Sequence, residues 1–261
     1  MTVVVTDAIV LHAFDYLESS RILKIVTREA GVRSVLARGA RRSQRRFGTA
    51  LDLYAQGSAE LQTKVGRDLD TLTAFDVSRA RPQLAAQLAR FTGASAIAEL
   101  TIRFARDAAD PGLFDAVMTA LDDIAAAPAD RARDVTLAGA WRVLSELGVA
   151  PTIDNCAECH AAIEGETPAI FSHPAGGALC ARCGRLARGG RTLPPSARSA
   201  LRDWLGGVAH PLADPNDARA HQRLLREFLR QHLADDRPLR AFEVWEHEEW
   251  VGPRADGGGA A

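Results

Sequence analysis

LDLYAQGSAELQT, residues 51–63, is the stretch on which the fold turns. Leu51, Leu53, Ala55, Ala59 and Leu61 alternate with Asp52, Tyr54, Gln56, Ser58, Glu60 and Gln62. A period of two predicts a strand with one wet face. Upstream, Thr2 to His12 is rich in Val and Ile and predicts a strand, with Arg21 to Thr27 (RILKIVT) as a second and Val32 to Gly39 (VRSVLARG) as a third. Glu29-Ala30-Gly31 supplies a turn between the second and third. Downstream, a turn at Gly66 leads to a fifth strand, with Leu69, Thr71, Thr73, Phe75 and Val77 on one side. Five strands within 80 residues, with no crossover helix between them, predict a small antiparallel barrel; the OB-fold is the commonest five-stranded form.

From Arg81 the period changes. Leu84, Leu88, Phe91, Ala98 and Ile102 fall on one helical stripe that opens at Pro82 and closes at Pro111-Gly112. Leu113–Ala127 and 133–147 predict further helices, the latter with Leu137, Trp141 and Leu144 on one face. After a Cys-rich insert come helices at 196–206 and 215–233, the second announced by Asp214-Pro215 as cap and first helical residue. The reading is an α+β chain. It has an N-terminal five-stranded OB-fold barrel for nucleic acid (1–80), an α-helical domain (81–150 and 186–250) and an inserted four-cysteine zinc element (151–185). The terminal ADGGGAA reads as frayed.

Composition narrows the class. The 261 residues are 47% hydrophobic and 25% charged, which excludes a mostly disordered chain. Net charge is −1, so any attraction to a polyanion must come from a local patch. There is no run of apolar residues long enough to span a bilayer, and MTVVVTDAIV lacks a signal-peptide pattern. A cytoplasmic, nucleoid-associated location is expected, with no membrane partner. In a reducing compartment paired cysteines read as metal ligands rather than disulfides.

All four cysteines fall in two CxxC pairs, Cys156/Cys159 and Cys180/Cys183. Zinc takes four soft ligands in a tetrahedron, and two CxxC turns complete one. With four protein ligands no position stays open for water, so the zinc is expected to be structural. It would hold a loop between helices whose own core is small. The interval 160–179 can supply a short hairpin, and Gly184 stands where a knuckle often needs a residue without Cβ. His160 and His173 are spare ligands, more simply read as surface histidines.

Between Arg21 and Arg46 lie nine basic residues, opposed only by Glu29. Arg38, Arg41, Arg42, Arg45 and Arg46 are the expected nucleic-acid contacts, with Arg21, Lys24 and Arg33 outside them. Such residues meet phosphates without reading bases. Phe47 and Tyr54 are candidates to stack on bases, although Phe47 reads more simply as a core anchor. The Arg-rich helix 219–230 is either an ordinary amphipathic helix, with Leu225 and Phe228 inward, or a seat for an acidic C-terminal peptide.

No enzyme is expected. GxxxxGK[ST], HExxH and GxSxG are absent, and His210, His221, His232 and His247 have no partnered nucleophile in the sequence. Glu243, Glu246, Glu248 and Glu249 could in principle hold Mg²⁺, but a solvated tail is the simpler account.

Several segments resemble the bacterial recombination mediator RecO family. They are Thr6–Leu11, Asp15-Tyr16, Glu18, Ser20–Leu23 and Val26–Gly31, then Ala37–Arg42, Arg46–Gly48 and Leu69–Thr73. The CxxC pairs match the zinc-bearing members of that family; others lack the cysteines, which fits a structural metal. The resemblance implies an OB-fold, a helical domain and a zinc element. It also implies binding of single- and double-stranded DNA and annealing of complementary strands. The implied partners are RecR and single-stranded-DNA-binding protein, and through them RecA, which is loaded at gaps and breaks. An RNA-binding or transcription module built on the same parts is the alternative.

Overall fold

The computed structural model describes residues 2–40, 47, 51–64, 66, 68–165, 167–209, 211–212, 214–233 and 237–247. Five strands come first: β1 (Thr2–Tyr16), β2 (Ser20–Thr27), β3 (Gly31–Ala37), β4 (Gln56–Thr63) and β5 (Asp70–Arg79). They close in the order β1-β2-β3-β5-β4, and β4 returns to β1. β3 and β5 run parallel, and the other neighbours are antiparallel. This is the OB-fold barrel that the strand count predicts. Closure removes the open edges that a five-stranded sheet would otherwise expose. Val10, Leu23, Ile25, Val35, Leu61 and Phe75 fill the interior, together with Phe47 and Leu51.

Two details depart from strict alternation. The fourth strand starts at Gln56, five residues after the expected Leu51. Tyr54 holds a left-handed φ of 66°, which breaks the extended run, and its N–H donates to the Val10 carbonyl at 2.7 Å. In β5 the register slips: Glu60 faces Ala74 but Leu61 faces Leu72. Thr73 is the extra residue of a bulge, and its hydroxyl donates to the Glu60 carbonyl at 3.0 Å. The buried face therefore passes from Leu72 to Phe75, and the expected Leu69 and Val77 are exposed.

Helices α1 (Pro82–Ala85), α2 (Leu88–Phe104), α3 (Pro111–Ala126) and α4 (Ala132–Glu146) follow. The stripe expected to start at Pro82 is broken at Gln87, which is extended. Asp110 caps α3 by accepting from the Leu113 N–H at 3.0 Å. Gly93 and Gly139 let these helices cross closely, since a Cβ on Gly139 would lie 2.7 Å from that of Ala120. A second small sheet is built from β6 (Ala169–Ser172), β7 (Gly177–Leu179) and β8 (Arg191–Leu193) in the order β7-β6-β8, with α5 (Ala181–Leu186) between β7 and β8. Because β8 pairs with β6, this sheet runs past residue 185, where the insert was expected to end. Helices α6 (Pro195–Leu205), α7 (Pro215–His232) and α8 (Arg240–His247) complete the described chain. Asp214 caps α7 as its position before Pro215 predicts, accepting from the Asn216 N–H at 2.8 Å.

One continuous core joins the helices around Phe114, Trp141, Trp204, Phe228 and Trp245, and it takes in Ile9, Leu11, Val26 and Val32 from the outside of the barrel. Arg81, almost wholly buried, locks the two parts. Its Nε lies 2.7 Å from an Asp122 oxygen, and its other nitrogens donate to the Tyr54 carbonyl at 2.8 Å and the Gln56 side chain at 2.9 Å. Arg28 adds a second clasp by pairing with Asp115 and lying 4.7 Å over the Phe114 ring. The acidic C-terminal run is no solvated tail up to His247. Phe242 and Trp245 are buried on α8, and Glu246 pairs with Arg226 at 2.6 Å. Glu248, Glu249, His210 and the terminal ADGGGAA lie outside the described residues.

Candidate metal centre and nucleic-acid interface

The four cysteine sulfurs converge, all lying within 4.8 Å of one another, and Cys159 and Cys180 Sγ are 3.8 Å apart. A tetrahedron of thiolates about 2.3 Å from a metal has edges of about 3.8 Å, so the spacing suits one ion. The backbone explains the convergence. Cys156 sits in a turn closed by the His160 N–H donating to its carbonyl at 2.8 Å, and Cys180 caps α5 with the Gly184 N–H donating back at 2.8 Å. A Cβ on Gly184 would come within 2.7 Å of the Ile170 side chain, so close packing is what requires glycine here. The hairpin expected between the pairs is β6–β7.

The thiols pull one another in opposite directions. Burial raises the Cys156 thiol, but N–H groups of Cys159, Cys180 and Glu158 outweigh it and bring it down to about 6. Hydrogen bonding from Cys159, with burial added, pushes Cys183 up to about 12. Four sulfurs this close cannot all ionise alone, and a divalent soft-ligand cation removes the conflict. Among the described residues no other group of three or more Cys, His, Asp or Glu is placed to hold a metal. His160 is exposed, as expected of a spare histidine. His173 is instead buried, with Nε2 3.2 Å from the Leu224 carbonyl.

The cationic residues of the barrel fall into distinct settings. Lys24 lies on the outer face of β2 and donates to Ser34 Oγ at 2.6 Å. Arg38 is exposed just past the end of β3. Arg21 pairs with Asp15 at 3.1 Å beside a shallow cavity that Leu51 and Leu53 also line. Arg33 shares the inward-facing row with Val35 and Ala37, and its Nε lies 3.5 Å from the nearly buried Asp70. Arg41, Arg42, Arg45 and Arg46 lie outside the described residues. Neither aromatic singled out for stacking is available: Phe47 fills the barrel, and Tyr54 is buried with its hydroxyl 2.8 Å from Ser95 Oγ.

Sequence reasoning missed a different aromatic row. Val10 pairs with Ile25 but His12 pairs with Lys24, so Leu11 is an extra residue. This bulge resets which side chains face out. His12, Phe14 and Tyr16 are thereby exposed on the outer face. The helical layer covers Val26 and Val32 on this side of the sheet and leaves the Lys24 end open. A bulge leaves no periodic mark in a single sequence, though the density of aromatics at 12–16 was visible.

Among the described residues no helix is long and apolar enough to cross a membrane. The family model described as recombination protein O N terminal matches residues 1–81, and that described as recombination protein O C terminal matches 85–241. The chain is 38% identical over 242 residues to the DNA repair protein RecO of Anaeromyxobacter sp. (strain K), covering 90% of this chain and 93% of that one. It is 32% identical over 232 residues to the DNA repair protein RecO of Rubrobacter xylanophilus, covering 88% and 90%. It is 33% identical over 246 residues to that of Geobacter metallireducens, covering 91% and 94%. With both family models matched and relatives aligned along nearly their whole length, the chain belongs to the recombination protein O family of DNA repair proteins.

Proposed function

We propose that the protein is a non-enzymatic DNA-binding mediator of recombinational repair. It binds single- and double-stranded DNA, anneals complementary strands, and with RecR helps load RecA at gaps and breaks. It works on the cytoplasmic nucleoid. The observation that carries this is the open end of the β1–β2–β3 face, which holds Lys24 and, just past β3, the exposed Arg38; in the sequence Arg38 stands three residues before Arg41. Annealing needs no bond chemistry. Phosphate repulsion between two strands must be neutralised, and sequence-independent cations do that. Arg38, Arg41, Arg42, Arg45, Arg46 and Lys24 supply most of the contact. Arg21 and Arg33, each beside a carboxylate, contribute less.

Zinc is the ion that Cys156, Cys159, Cys180 and Cys183 would hold, and its contribution is to the fold of the β6–β8 element. Single-stranded-DNA-binding protein is the expected partner of the helical part. A cavity of about 360 Å³ between α2, α7 and α8 sets Arg230 beside an apolar floor that includes Leu229, Leu233 and Phe242, with Arg226 at its wall already paired to Glu246; an acidic, apolar-ended peptide suits it. Arg223 lines a different cavity, so Arg230 is the better substitution for a peptide-binding assay.

The test is annealing of complementary oligonucleotides coated with single-stranded-DNA-binding protein, beside RNA of the same sequence at matched salt. Acceleration with DNA supports this reading. Acceleration or binding confined to RNA favours an RNA-binding module, and absence of both overturns the mediator.

A further inference from the structure

We infer that the outer face of β1 is a base-stacking platform for single-stranded DNA, with Phe14 and Tyr16 as its stacking residues and His12 at its inner end. This rests on the DNA-binding reading above and extends it from phosphate neutralisation to contact with unpaired bases.

The argument begins with exposure. Phe14 and Tyr16 are each 43% exposed, and Leu17 in the following turn is 75% exposed. Leaving aromatic rings in water forgoes their burial energy, and the barrel has an interior in which to put them. It does the opposite. On the regular alternation set by Ala8 and Val10, which face the interior, residues 12, 14 and 16 would also point inward. The extra residue at Leu11 turns all three out, while Ala13 packs against the barrel core. His12 and Phe14 lie 5.7 Å apart, centroid to centroid, as neighbours along one strand edge. Phe14 faces Ile22 across the β1–β2 ladder and Tyr16 faces Ser20, and with these neighbours in place each ring still keeps 43% of its surface open to water.

Charge then selects the occupant. His12 faces Lys24 across the ladder, and the exposed Arg38 follows directly on β3, the next strand over. Aromatic faces with cations to one side match a strand whose bases lie on the rings and whose phosphates lie on the cations. A duplex keeps its bases stacked and cannot use the rings. The platform therefore favours single strands, where the basic residues alone do not discriminate.

The test uses the full-length protein and three probes of equal length: an oligo(dT), an oligonucleotide of abasic residues, and a duplex. The double variant Phe14→Ala/Tyr16→Ala is expected to bind oligo(dT) roughly 10- to 100-fold more weakly. It should bind the duplex as before and keep the same dependence on salt. Wild-type protein should bind the abasic strand about as weakly as the variant binds oligo(dT), and Tyr16→Phe alone should keep near-wild-type affinity. Neither ring belongs to a buried core, so the variant should fold, and its melting temperature checks that the affinity is read on folded protein. Unchanged oligo(dT) affinity in the double variant overturns the platform and leaves the electrostatic reading standing. Equal wild-type affinity for abasic and intact strands overturns it as well. Wild-type protein that binds no probe overturns both.

Discussion

Arg33 Nε stands 3.5 Å from a carboxylate oxygen of Asp70, joining β3 to the start of β5 where those strands run parallel. Asp70 is only 6% exposed, so this pair lies largely within the barrel end. A carboxylate so placed needs its partner, because removing one member leaves a charge out of water. Arg33→Ala should therefore destabilise the fold by roughly 1–3 kcal/mol, read as a lower midpoint in urea. Single-strand affinity of the folded protein should stay within about twofold of wild type. Arg38→Ala should do the reverse, costing affinity and leaving the midpoint unchanged. Equal loss of affinity in both variants would put Arg33 back among the DNA contacts.

Metal removal should act on the fold first. The thiol quartet has a small core of its own around Ile163, Ala169, Ala178 and Leu179, too little to hold the element unaided. Elemental analysis of purified protein should find about one zinc per chain. A strong chelator should lower the melting temperature and open residues 151–193 to protease before the barrel. Full resistance to proteolysis after complete zinc loss would contradict a structural metal.

His221 on α7 makes stability depend on acidity. It is 3% exposed, packs 4.7 Å from the Trp204 ring, and burial brings its pKa down to about 4. An unfolded histidine titrates near 6.5, so between about 6.5 and 4 the unfolded chain takes up the proton and the folded one does not. Stability should thus be full above pH 6.5 and fall as pH drops toward 4. Urea midpoints taken across that window should fall, and His221→Phe should flatten this part of the curve. An equal slope in the variant would assign the loss to other groups.

The sequence made different parts of this molecule legible for different reasons. Turns and caps carry local chemistry, so Asp214-Pro215 announced α7, and the CxxC pairs announced the thiol quartet. Strand existence was legible from runs such as Thr2–His12, rich in Val and Ile, and for β4 from the alternation of Ala59 and Leu61 with Ser58, Glu60 and Gln62. What periodicity cannot carry is a slip. The extra residues at Leu11 and Thr73 each shift the buried row by one, which hid Phe14 and Tyr16 and put Leu69 on the wrong side; Val77 stays in phase with Phe75 but lies in the exposed last part of β5. Tyr54 reads as the wet position of a strand, yet its left-handed backbone and its bond to Ser95 put it in the helical core. Counting cations could not separate Lys24 from Arg33. The two stand on opposite faces, a distinction set by partners far along the chain.

The measurement closest to the central claim is the salt dependence of single-strand binding. Wild-type protein should be compared with the variant Arg41→Ala/Arg42→Ala/Arg45→Ala/Arg46→Ala, folding being checked by melting temperature. If these arginines neutralise phosphates, the slope of log K against log salt should become shallower by about 2–3, and affinity at low salt should fall steeply. An unchanged slope and affinity in the folded variant would contradict the account.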